Sequence, residues 1–86
     1  MGVDKLPKTL HTQRGQLLAR RLMELRIAAG MSQRDLAAKI GRDQGMIARI
    51  ESAQRRVDLV ELIELLSALG RDPAKEIRNL VKELLG

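Results

Sequence analysis

The chain is divided by a repeated stop-and-start pattern, and that pattern limits it to a set of short helices. Gly30, Gly41 and Gly70 each follow an apolar stripe of helical period, where a glycine can take the left-handed turn that ends a helix. Soon after each one comes a residue able to cap the next helix: Ser32 with Asp35 three positions on, Asp43, and Asp72 ahead of Pro73. Asp58 with Glu61 supplies a further start. No segment alternates apolar and polar residues as a half-buried strand does.

This punctuation predicts an all-α fold of five helices. The first runs over about 15–29, with Leu18, Leu22, Leu25 and Ala29 on one face. The second carries Leu36, Ala37 and Ile40, and the third buries Ile47 and Ile50. The fourth bears Leu59, Leu62, Ile63, Leu66 and Leu69, and the fifth, about 73–85, bears Ile77, Leu80, Val81, Leu84 and Leu85. Residues 1–13 include Pro7, hold few apolar groups and show no period, so they read as a flexible arm ahead of one domain over 14–86. Eighty-six residues suffice for one hydrophobic core and no second.

Composition removes whole classes of function. The chain has no Phe, Tyr or Trp, so bases cannot stack on aromatic faces as single-stranded nucleic acid and most RNA readers require. It has no Cys, which excludes disulfides, thiolate metal sites and a cysteine nucleophile. His11 stands alone in the arm and reads as a surface residue. No nucleophile–base pair, metal cluster or phosphate loop is present, so no enzyme, cofactor, metal or small-molecule substrate is expected. Nor is there an apolar run long enough for a membrane span or a secretory signal. Leu6 stands where a myristoylation motif opened by Met1-Gly2 needs Ser or Thr. A cytoplasmic protein without membrane attachment is expected.

Charge is uneven. The net +5 splits into +1 over residues 1–13, +6 over 14–56 (ten basic against four acidic) and −2 over 57–86 (four against six). The basic half calls for a polyanion. On a helical wheel with Ile47 at zero, Gly45, Ser52 and Arg49 fall at about 160°, 140° and 200° and Ala48 near 100°, leaving a small, polar, basic side away from the core. Gln44 lies in the first turn, where a helix pointing into a groove reaches bases. An amide matches adenine and a guanidinium matches guanine. Glu51 sits near 40° on that wheel and Arg26 near 40° on one centred on Leu22, so both fall on the core's edge, where they can pair.

Cap, short helix, glycine turn and short helix is the order of a helix-turn-helix. The stretch Met31–Glu51 resembles the lambda-repressor/Cro type, the XRE family, at Ser32-Gln33, Leu36-Ala37, Gly41, Gln44, Ile47, Arg49 and Ile50-Glu51, followed by Arg55-Arg56. With Arg26…Gly30 before it and Leu59…Leu69-Gly70 after it, the likeness covers about residues 14–70. It implies a transcription regulator, a repressor, that binds double-stranded DNA in the major groove as a homodimer. By matched position, Gln44, Gly45, Ala48 and Arg49 would face base edges. Gln33, Arg42, Ser52, Arg55 and Arg56 would meet phosphates, and Arg26 and Glu51 would form the structural pair. Gly45 departs from the commoner Ser or Thr. Ala53 stands where relatives carry Gly, and a left-handed backbone strains Ala, so the exit from the third helix is expected to differ. The apolar excess of the fifth helix, Ile77, Leu80, Val81, Leu84 and Leu85, is assigned to the dimer contact. Lys5 and Lys8 could follow a groove, although a disordered tail is the simpler reading. The competing function is a helical protein-interaction module, an antitoxin or adaptor, docking its partner on the fifth helix.

Overall fold

A computed structural model describes residues 12–86. Five helices follow in order: α1 (Gln13–Ala28), α2 (Gln33–Lys39), α3 (Gln44–Glu51), α4 (Leu59–Ala68) and α5 (Pro73–Leu85). Each starts where a side chain satisfies the otherwise unpaired first amides. Thr12 accepts from the Gly15 amide at 3.1 Å, so α1 begins at Gln13, inside the stretch read as the arm. The rest of that stretch, with Lys5, Lys8 and His11, lies outside the described residues. Ser32 and Asp35 form a reciprocal capping box on α2, Asp58 and Glu61 form another on α4, and Asp43 accepts from the Met46 amide at 2.7 Å on α3. Asp72 caps α5, with Pro73 in its first turn.

The first four helices end in one way. A residue at positive φ lets the following amide bond back to a carbonyl five positions earlier: Met31 to Arg26, Arg42 to Ala37, Gln54 to Arg49 and Arg71 to Leu66, at 2.8–3.2 Å. Three of the positive-φ residues are glycines; the fourth is Ala53, at φ 60°. The expectation of a different exit from α3 is therefore corrected, because the closing bonds from Ala53 to Ile50 and from Gln54 to Arg49 hold the alanine in the left-handed region.

Leu22 and Leu25 of α1, Leu36 and Ala37 of α2, Met46, Ile47 and Ile50 of α3, and Leu65, Leu66 and Leu69 at α4 and its end form one aliphatic core, with Ile47 and Leu66 fully enclosed. Leu18, Ile40, Leu62 and Ile77 pack against it. Within α4 the buried set includes Leu65, whereas Leu59 and Ile63 of the expected apolar set lie exposed. The α5 helix is held across α1 by a charge as well: the buried Glu76 carboxylate lies 3.7 Å from Arg21 and 3.1 Å from Arg71.

Ala53→Gly should raise unfolding stability by about 0.5–1 kcal/mol, the left-handed penalty of alanine less the chain entropy of glycine. Denaturant melts of the two proteins measure this, and a destabilised variant would contradict the account of the α3 stop.

Candidate nucleic-acid interface

The α2–turn–α3 unit is fixed to the body by Arg26. Its Nε and Nη2 donate to the two Glu51 carboxylate oxygens at 2.6 and 3.0 Å, and its Nη1 donates to the Met31 carbonyl at 2.7 Å. One guanidinium thereby joins α1, the turn that precedes α2, and the last residue of α3. The two side chains are only 12% and 6% exposed. The hydrogen bond to Glu51 raises the Arg26 pKa above its ordinary value, against a lowering by burial.

From Glu51 a directed chain of hydrogen bonds runs out to the surface. Gln33 Nε2 donates to Glu51 Oε1 at 2.9 Å, and Gln44 Nε2 donates to Gln33 Oε1 at 2.7 Å. The direction is dictated by chemistry, since an ionised carboxylate only accepts. Gln33 must turn its amide nitrogen inward, so its oxygen faces Gln44, which must in turn offer nitrogen. Gln44, exposed at the first position of α3, is left with its carbonyl oxygen and one N–H pointing outward. Gln33, expected on a phosphate, is half-buried, and in this structure its amide serves first to orient Gln44.

Arg49 lies on the exposed face of α3, and no carboxylate of the described residues pairs with it. Gly45 explains its placement. A Cβ at position 45 would stand 3.1 Å from Arg49 Nη1 and 3.3 Å from Asp43 Oδ1, so the missing side chain is the space the guanidinium uses. Ala48 is half-buried beside it. Gln44, Gly45, Ala48 and Arg49 thus share the outer side of α3, one side of a rod whose other side is Met46, Ile47 and Ile50.

The flanking cations differ more from expectation. Arg55 binds Glu61 through its two terminal guanidinium nitrogens, at 3.0 and 2.8 Å, and donates to the Arg56 carbonyl at 2.8 Å. It clamps the α3–α4 loop before it can serve a phosphate. Arg42 reaches the same carboxylate at 3.4 Å. The Ser52 hydroxyl donates to the Arg49 carbonyl at 3.2 Å, which leaves it no proton for a phosphate oxygen in this arrangement. Arg56 is exposed. The hydrogen bonds from Arg55 hold the Glu61 carboxyl at a pKa of about 2, with the Asp58 amide adding to the effect, and Glu61 raises Arg55 in return. Sequence reasoning placed Glu61 only as a cap; its net-charge tally could not show that an acidic residue of the C-terminal part sits between two arginines of the basic half.

On α5, Leu80 is buried in the chain's own core and Ile77 packs against it, so Leu80 is withdrawn from any surface contact. Val81 and Leu85 are exposed and Leu84 is half-buried. The larger exposed apolar set was missed: Leu59, Val60 and Ile63 of α4. The signal was available, since six of the ten residues of α4 are large and apolar and only Glu61, Glu64 and Ser67 are polar, so its apolar side is wider than one packed face can cover. Among the described residues no helix is long and apolar enough to cross a membrane.

Five helices around a short cap–helix–turn–helix unit, with a polar and basic α3 face turned outward, define a lambda-repressor-like helix-turn-helix domain, and the helix-turn-helix family model matches residues 22–75. The chain belongs to the XRE family of helix-turn-helix proteins, a DNA-binding, transcription-regulating class. It is similar to an XRE-family-like protein from Pseudomonas syringae pv. tomato, at 37% identity over 92% of this chain and 96% of that one, TM-score 0.79. It is also similar to the restriction-modification controller protein C.AhdI from Aeromonas hydrophila, at 38% identity over 70% and 87%, TM-score 0.66. A third likeness is to the controller protein C.Esp1396I, solved as a tetramer with its natural 35-base-pair operator, at 25% identity over 87% and 99%, TM-score 0.75. No curated protein sequence matches the chain.

Because the Glu61 carboxyl is held well below its ordinary pKa of 4.5, its ion pairs stabilise the fold fully above about pH 5 and are lost as pH falls towards 2. Thermal melts of the wild type and Glu61→Gln should therefore differ at pH 7 and converge as pH drops through that window. A constant gap would refute the assignment.

Proposed function

We propose that this protein is a homodimeric repressor that occupies an operator by laying α3 of each subunit in successive major grooves. The observation that carries the reading is the outer side of α3: an Arg49 guanidinium that no carboxylate of the described residues pairs, beside a Gln44 amide whose orientation is set from within. Outward, Gln44 offers one N–H and one carbonyl oxygen, the complement of adenine N7 and N6. Arg49 offers the fork that suits guanine O6 and N7. Gly45 and Ala48 are small enough to let the backbone approach a groove floor. Arg42 and Arg56 lie on either side of α3 in sequence, where they can add salt-dependent phosphate contacts. The controller protein C.Esp1396I, of similar fold, is solved on its operator, which supports the same use of this domain here.

The second copy is assigned to the exposed apolar groups of α4 and α5, namely Leu59, Val60 and Ile63 with Val81 and Leu85. A two-fold pair is what places two α3 helices about 34 Å apart on one face of a duplex. Metal and cofactor have no part in this reading, which needs only hydrogen bonds and charge.

Two tests follow. After selection of a preferred duplex from a random pool, Arg49→Ala should weaken binding to that duplex by about 1–3 kcal/mol more than to random DNA. Arg56→Ala should weaken both alike and flatten the salt dependence by about one phosphate's worth. Equal behaviour of the two variants in mobility-shift titrations would sink the division of labour. Separately, Val60→Glu should halve the mass seen by sedimentation at micromolar protein while leaving the helical circular-dichroism signal unchanged; an unaltered mass excludes this face as the dimer contact.

A further inference from the structure

Glu61 takes hold of both arginines that bracket α3. Arg42 precedes the helix, in the α2–α3 turn, and Arg55 follows it, in the α3–α4 loop, yet both converge on one carboxylate in the first turn of α4, at 3.4 Å and at 3.0 and 2.8 Å. Glu61 is 13% exposed, whereas Arg42 and Arg55 are 42% and 30% exposed, so the acid lies beneath two cations that reach the surface. A cluster that would count as +2 toward a polyanion counts as +1. The bonds fall on guanidinium N–H groups, the same groups a phosphate would engage.

From this arrangement we propose that Glu61 is a specificity-determining positioning residue, which restrains sequence-independent DNA binding by occupying the guanidinium groups of Arg42 and Arg55. The inference rests on the reading of α3 as the groove-entering helix, and it follows from how little that helix carries for base recognition. Of the four outward residues, Gly45 and Ala48 offer no hydrogen-bonding side chain, leaving Gln44 and Arg49 to discriminate. Phosphate contacts carry no base information, and on a random duplex, where no base contact fixes the register, the domain is free to shift until every available cation meets a phosphate. On a preferred duplex Gln44 and Arg49 hold the register, so two further free cations would strengthen random binding more than specific binding and lower their ratio. A carboxylate that holds two of the arginines flanking α3 limits that loss.

The test is Glu61→Gln in the full chain, a change that keeps the α4 capping box, since Gln serves at that position as Glu does, and removes only the charge. Fluorescence anisotropy with a labelled random-sequence duplex and with the selected duplex, from 50 to 500 mM salt, gives affinity and salt slope for each. Glu61→Gln should bind the random duplex about 3- to 10-fold more tightly at 0.1 M salt, with a log–log slope steeper by about 0.9, one further phosphate neutralised. The selected duplex should gain less than the random one does, and on an Arg42→Ala/Arg55→Ala background the substitution should change neither slope. An unchanged slope on random DNA, or an equal change in affinity on both duplexes, overturns the proposal and leaves Glu61 a cap and loop clamp. A wild type with no preferred duplex at all refutes the groove reading instead, a result separate from the slope comparison on random DNA.

Discussion

The Arg26–Glu51 pair is the constraint on which the rest of the arrangement depends. A guanidinium and a carboxylate this far from solvent are stable only because each satisfies the other, and removing one partner of such a pair typically costs about 3–5 kcal/mol. Here the pair does more than close a gap between α1 and α3. Because Glu51 also accepts from Gln33, the charge in the interior decides which end of each amide points where, and the decision reaches Gln44 at the surface. Preorganisation of this kind lowers the entropy lost when a side chain meets its partner.

The helix limits and the core were legible because they are local matters. Ser32 with Asp35, Asp43, Asp58 with Glu61 and Asp72-Pro73 mark starts by chemistry that involves only neighbouring residues, and the glycines mark stops in the same way. Thr12 was overlooked because Gly15 stands three positions on, where an acid or amide would complete a capping box and mark the start. Ala53 misled for the opposite reason: propensity argued against the left-handed turn, and two backbone hydrogen bonds override a penalty of about 1–2 kcal/mol. The wheel of α3 separated its buried Ile47 and Ile50 from its outward Arg49 correctly, since one helix face suffices to decide that.

The candidate site was legible only in part, because side-chain pairing across long separations is not a periodic signal. Arg26 and Glu51 could be placed on facing edges, but the link from Gln33 to Gln44 depends on the angle at which α2 meets α3. Arg55 and Arg42 read as free cations in a charge tally, and only the fold shows them sharing Glu61. The fifth helix gave a similar lesson. Its apolar stripe suggested a surface for a partner, yet Leu80 turns inward and α4 exposes more, since packing α5 back onto α1 uses that stripe for the core.

The uniform helix stops have a kinetic meaning. Each of the first four helices is terminated within its own last turn and the next begins on its own cap a few residues later, so most of the order in this chain is established between near neighbours. Topologies of this kind fold in microseconds to milliseconds. A newly made copy therefore reaches its final shape almost as soon as the chain is free, and the delay before it can act is set by diffusion and encounter rather than by folding.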